Sequence, residues 1–68
     1  MVTVKIYMVS NAKFTYQLYL VNDDKEMLKN RAREHAKRIV TEGYWAKEDE
    51  FTEVFYGPAQ IYKVKVIG

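Results

Sequence analysis

Sixty-eight residues with 11 lysines and arginines, 9 aspartates and glutamates and no cysteine set limits before any pattern is read. A chain of this length buries only about 60% of its unfolded surface, so one small core must hold it. With no thiol, disulfide scaffolds, Cys-based zinc sites and thiolate catalysis are excluded. A net charge of +2 is too weak to imply nucleic acid by itself. No apolar run approaches membrane-span length, and the opening MVTVKIYMV carries neither a basic leader nor a cleavage site. The expectation is a single domain over residues 1–68, cytoplasmic, with no membrane partner.

Val2, Val4, Ile6 and Met8 alternate with Thr3, Lys5, Tyr7 and Val9, and Phe14, Tyr16, Leu18 and Leu20 alternate with Thr15, Gln17, Tyr19 and Val21. This period-two patterning predicts two half-buried strands with their even positions on the apolar face. A shared apolar face needs cross-strand partners whose numbers sum to an even value. A three-residue loop Asn11-Ala12-Lys13 that pairs Ser10 with Phe14 satisfies this, and a two-residue Asn11-Ala12 turn does not. The left-handed position of such a loop prefers Gly or Asn, yet this placement puts it near Lys13.

A helix is predicted next. Asp23 followed three residues later by Glu26 is a capping-box signal, acids crowd the first turn, and Gly43 offers a stop. Leu28, Ala32, Ala36 and Ile39 fall on one stripe, with His35 and Val40 on its margins. Residues 43–57, GYWAKEDEFTEVFYG, then set five aromatic rings beside four acids with no clean period. Phe51 to Tyr56 can form a short edge strand, hairpinned across Gly57 to Gln60 to a last strand. In that last strand Tyr62, Val64 and Val66 alternate with Ile61, Lys63, Lys65 and Ile67. The fold class expected is α+β: a three- or four-stranded, mostly antiparallel sheet with one α-helix packed on one face, ordered ββαβ or ββαββ.

Catalytic signals are poor. The sole histidine, His35, sits on the margin of the apolar stripe, where a partly buried imidazole with one hydrogen bond is commoner than a general base. Asp23, Asp24 and Glu26 read as helix-start acids rather than a cation cage, and no glycine-rich phosphate loop exists. No catalytic residue, metal or cofactor is expected, and the chain reads as a non-enzyme.

Binding is better supported. Tyr44, Trp45, Phe55 and Tyr56 are ring types that dominate interface hot spots, and Glu48 and Asp49 can steer a basic partner. Core demand competes for those rings, because a helix stripe that is half alanine needs large side chains from elsewhere. Trp45 and one or two phenylalanines are therefore expected inside, leaving Tyr44 and one of Phe55 or Tyr56 exposed. A second reading places Lys5, Tyr7, Tyr19, Lys63 and Lys65 on the sheet face opposite the helix. Tyrosines for stacking with lysines for phosphates suit single-stranded nucleic acid, although exposed sheet faces carry Tyr and Lys for strand propensity and solubility too.

The C-terminal half, AKRIVTEGYW, an acidic linker and EVFYGPAQIYKVKV, resembles small uncharacterised proteins of phages and prophages of Gram-positive bacteria. There a helix ending in Glu-Gly precedes aromatics and a Tyr-x-Pro-x-x-Ile turn into a Val-rich strand. The matching residues are Glu42, Gly43, Trp45, Tyr56, Pro58, Ile61, Val64 and Val66. The resemblance implies an accessory protein that binds a host or viral protein, and it transfers no catalytic residue. The function expected is a protein-binding module, with homodimerisation through an edge strand as an option and single-stranded nucleic-acid binding as the alternative.

Overall fold

Strand β1, Val2–Met8, is the centre of the molecule: Val2, Val4, Ile6 and Met8 are buried while the intervening Thr3, Lys5 and Tyr7 are half-exposed. Burying an aliphatic side chain of this size contributes about 1.5–3 kcal/mol, so these four side chains supply a large share of the core. The computed structural model describes residues 1–19 and 24–68. The expected strand positions Leu20 and Val21 and the expected cap Asp23 lie outside them.

β1 pairs antiparallel on one side with β2, Lys13–Leu18, and on the other with β5, Ile61–Ile67, giving the order β2-β1-β5. The β1–β2 register runs from Val2↔Leu18 to Tyr7↔Lys13. The partner numbers sum to an even value, as the shared apolar face requires. The loop, however, lies two residues earlier than expected. The Met8 amide donates to the Ala12 carbonyl at 2.9 Å and the Asn11 amide to the Met8 carbonyl at 3.0 Å, so the turn is Val9-Ser10-Asn11. Its left-handed residue is Asn11, φ 72°. A shift of two preserves every side chain's face and moves the strained position from a lysine to a residue that tolerates it.

Helix α1, Lys25–Glu42, buries Leu28, Ala32 and Ile39 and lies over β1 and β5. Its cap is Asp24, whose carboxylate accepts from the Met27 amide at 3.1 Å. Such a cap contributes about 1 kcal/mol. At the other end the Gly43 amide closes on the Ile39 carbonyl at 2.9 Å, and φ 101° at Gly43 turns the chain out of the helix.

The segment after the helix departs most from expectation. Tyr44–Lys47 forms a strand, β3, that pairs antiparallel with β4, Glu53–Tyr56, as a separate two-stranded sheet. The edge strand in residues 51–56 exists, but it does not hairpin onto β5. Pro58–Gln60 forms one 3-10 turn, and the Gln60 carbonyl accepts from the Val9 amide at 2.8 Å, which leads the chain away before β5 begins. The order is therefore ββαβββ. β5 differs in one more respect. Its register to β1 shifts between Tyr7 and Met8, from Tyr7↔Lys63 to Met8↔Ile61. This bulge turns Ile61 inward and leaves Tyr62, expected on the apolar face, 71% exposed.

Candidate binding faces

The β3–β4 hairpin places rings on both its faces. Its register pairs Tyr44↔Tyr56, Trp45↔Phe55, Ala46↔Val54 and Lys47↔Glu53, so alternation puts Tyr44, Ala46, Val54 and Tyr56 on one side and the other four on the opposite side. The first side packs on β2: Phe14 lies 5.7 Å from Tyr44 and 5.4 Å from Tyr56 between ring centroids, and Tyr16 stacks on Tyr44 at 6.3 Å. An isolated two-stranded hairpin is marginal in water, and this aromatic layer is what holds it down. Helix and hairpin thus share the apolar face of the sheet, the helix over β1 and β5 and the hairpin over β2.

On the outer side Trp45 and Phe55 meet at 5.0 Å, tilted by 45°. Trp45 is 61% exposed, Phe55 48% and Phe51, at the turn, 94%. Trp45, expected inside, and Tyr44, expected outside, have exchanged places, whereas of Phe55 and Tyr56 one is exposed as expected: Phe55 is outside and Tyr56 half-buried against the core. The reason is size and parity. The space over β2 between hairpin and helix takes two tyrosines plus the small Ala46, which is buried, and a strand cannot turn Trp45 inward without turning Tyr44 and Ala46 out.

The acids of the hairpin divide as well. Asp49 accepts from the Phe51 amide at 2.8 Å, an Asx turn that shapes the loop, while the Glu48 amide donates to the Thr52 carbonyl at 2.9 Å. The Phe51 amide, with the Thr52 hydroxyl, holds the Asp49 carboxyl below its ordinary value. Asp49 is thus committed to the turn, and Glu48, Glu50 and Glu53 are exposed.

His35 has a partner. Its Nδ1 is 3.0 Å from the Tyr16 hydroxyl, and the two rings lie 6.0 Å apart. Burial, followed by repulsion from Tyr44, pushes the Tyr16 phenol up, and burial does the same to Tyr44. No serine lies in this aromatic cluster. Among the described residues no three His, Asp or Glu side chains converge as metal ligands would. A surface hollow of about 400 Å³ opens elsewhere, between Lys25, Glu26, Lys29 and Arg33 of the helix and Gly68.

On the sheet face turned away from the helix every charged side chain of the three strands is a lysine. The register lines up Lys13, Tyr7 and Lys63 across three strands, then Thr15, Lys5 and Lys65, then Gln17, Thr3 and Ile67. No carboxylate stands in these rows. The ammonium groups of Lys63, Lys65, Lys13 and Lys5 lie 5.0, 5.4, 5.7 and 5.9 Å from the centroid of the Tyr7 ring. Lys5 stands directly opposite Lys65, a like-charge pairing that opposes sheet formation. Neighbouring ammonium groups repel by under about 1 kcal/mol in a water-like dielectric. Lys63 also lies 5.5 Å from the Tyr62 ring.

Of the residues expected on this face, the structure brings Lys5, Tyr7, Lys63 and Lys65 together. Tyr19 follows the end of β2, about 20 Å along the strand direction from Tyr7, where its hydroxyl donates to Gln17. Sequence reasoning missed Lys13, which the misplaced loop had removed from the strand although its odd number carries the right parity. It also missed Tyr62, whose outward turn depends on the bulge. Comparison with known protein families, with curated proteins and with solved structures found no match to this chain.

Proposed function

We propose that this chain is a non-enzymatic, cytoplasmic binding module that docks on a protein partner through the outer face of the β3–β4 hairpin. One observation carries the reading: Trp45 and Phe55 lie side by side, ring centroids 5.0 Å apart, on a face that nothing else in the described structure covers. Trp is among the residue types most enriched at hot spots, and a cross-strand ring pair presents a rigid apolar ridge at small entropic cost. Phe51, 94% exposed, lies in the turn that joins the two strands, and Glu48, Glu50 and Glu53 outnumber the single cation Lys47 on the hairpin. The matching partner is a protein with an apolar groove rimmed by Lys or Arg. The resemblance of the C-terminal half to phage-borne accessory proteins points the same way. The candidate residues narrow accordingly: Trp45 and Phe55 stay, Phe51 joins them, and Tyr44, Tyr56 and Asp49 take structural roles.

Affinity purification from the native host tests this, comparing the wild-type chain with a Trp45→Ser, Phe55→Ser variant. The expected result is one dominant protein partner recovered by the wild type and lost by the variant while the far-UV circular dichroism stays unchanged. Retention of the same partner by the folded variant sinks the reading. Sedimentation of the purified chain separates the homodimer option, since β2 and β5 both offer sheet edges. A dimer that persists in the Trp45→Ser, Phe55→Ser variant uses an edge and not the ridge.

A further inference from the structure

We infer that the sheet face opposite the helix is a binding site for single-stranded nucleic acid, independent of the aromatic ridge. Four lysines, Lys5, Lys13, Lys63 and Lys65, gather around one tyrosine on a flat three-stranded surface. The whole chain carries only +2, so the rest of the molecule is net negative and this face is a local concentration of positive charge. Strand propensity and solubility account for Tyr and Lys on an exposed sheet face, but not for the convergence of four lysines on one ring with no acid among them. Lys5 opposite Lys65 costs stability, and no acid shares the rows; within the face only the Tyr7 ring, near both ammonium groups, offsets it in part. A polyanion removes the cost by neutralising all four charges at once.

The rings decide which polyanion. Tyr7 lies at the centre of the lysines and Tyr62, exposed by the bulge, stands next to Lys63. A base stacks on either ring once the flexible lysine stems swing outward to phosphates, which is how sheet-type readers hold unpaired strands. A duplex keeps its bases stacked within itself and has no use for these rings. An anionic lipid surface likewise uses the lysines alone. Along the strands the face continues through Thr15, Thr3 and Gln17 to the exposed Tyr19, whose hydroxyl is bonded to Gln17. The track is about 20 Å long, room for a few nucleotides with a ring near each end. The face lies on the far side of the sheet from the hairpin, so occupation of one site leaves the other open.

Fluorescence anisotropy of labelled oligothymidylate and oligouridylate with the intact chain is the test. Binding at low salt is expected to weaken about 50-fold between about 50 and 200 mM salt, since four phosphate contacts on a single strand give a log–log slope near −2.8. Lys63→Gln with Lys65→Gln should flatten that slope by about 1.4. Tyr7→Leu should weaken binding about 10-fold at both salts without changing the slope, and Tyr7→Phe should restore it, because stacking needs the ring and not the hydroxyl. Trp45→Ser should leave all of this untouched. No binding at low salt overturns the inference. So does equal binding of a duplex, of heparin or of phosphatidylserine vesicles combined with indifference to Tyr7→Leu, which would make the face a general polyanion surface.

Discussion

The three-stranded sheet and the β3–β4 hairpin are built by the same alternation, yet they use it differently. In the sheet the two faces differ in composition: Val2, Val4, Ile6 and Met8 go in, and Thr3, Lys5 and Tyr7 go out. In the hairpin both faces carry rings, Tyr44 and Tyr56 inward, Trp45 and Phe55 outward. A sheet of the first kind specifies its own orientation, because slipping by one residue would bury lysines. The hairpin has a weaker safeguard within itself, since only Lys47 and Glu53 at its turn end mark the outer face. Its orientation is imposed from outside, by Phe14 and Tyr16 beneath it and by Gly43 at its root.

That dependence on Gly43 offers the largest perturbation. The glycine sits at φ 101°, and a Cβ there would stand 2.6 Å from the Tyr56 carbonyl oxygen and 2.8 Å from the Phe55 ring. Backbone strain for a non-glycine residue is about 1–3 kcal/mol, and the clash with the main chain of β4 adds to it. Gly43→Ala is expected to cost about 3 kcal/mol or more in urea denaturation, a large part of what a domain of this size possesses. Trp45 fluorescence and far-UV circular dichroism report hairpin and sheet separately. If Trp45 loses its environment in the variant while the sheet transition stays put, the hairpin is its own unit; a cost under about 1 kcal/mol would show that Gly43 does not hold the hairpin in place.

The contrast between sheet and hairpin also explains how much of the molecule was legible from sequence. The pattern VTVKIYM has one reading, and the helix stripe of Leu28, Ala32 and Ile39 has one reading, so the α+β class and the parity of β1 and β2 follow from local chemistry. Even the error in the first loop was confined to a shift of two, since face parity is fixed by the strands and only the place of the turn by Asn11. Tyr62 was misassigned because a bulge is a property of two strands together and leaves no mark in one. The hairpin was illegible for another reason. Core demand argues correctly that some rings of residues 44–56 go inside, but volume alone favours Trp45, and only the narrow space over β2 selects the tyrosines. The basic face was half visible: Lys5, Tyr7, Lys63 and Lys65 share parity, whereas their convergence on a single ring needs the register.

Single substitutions on the hairpin's two faces put the asymmetry on a scale. Tyr44→Ala removes a half-buried ring that touches Phe14 and stacks on Tyr16, and large-to-small changes of this kind cost about 2–3 kcal/mol where burial is partial. Trp45→Ala removes a larger side chain but only the cross-strand contact with Phe55, worth about 0.5–1 kcal/mol. Urea midpoints of the two variants are expected in that order although tryptophan is the bigger ring. Equal losses would mean that the outer ridge stabilises the fold as much as the inner layer, and the ridge would then lose its claim to be surface kept for a partner.

The inner layer should also betray itself at high pH, the smallest of these effects. Tyr16 and Tyr44 both have phenols raised above their ordinary value of 10.0, Tyr16 by burial and then by Tyr44, Tyr44 by burial. The titratable neighbours of this pair are His35, bonded to the Tyr16 hydroxyl, and Tyr56, the cross-strand partner of Tyr44. A phenol whose proton is held more tightly in the folded chain stabilises it fully below the unfolded value, and that contribution disappears as pH climbs through the raised folded values. Through these phenols stability followed by urea titration is therefore expected to be unchanged from neutral pH to about pH 10 and to fall above it. Tyr44→Phe keeps the ring and its stacking but removes one ionisation and its repulsion of Tyr16, so it should shallow the fall without abolishing it. A profile that does not respond to Tyr44→Phe would deny the inner layer its part in the alkaline sensitivity.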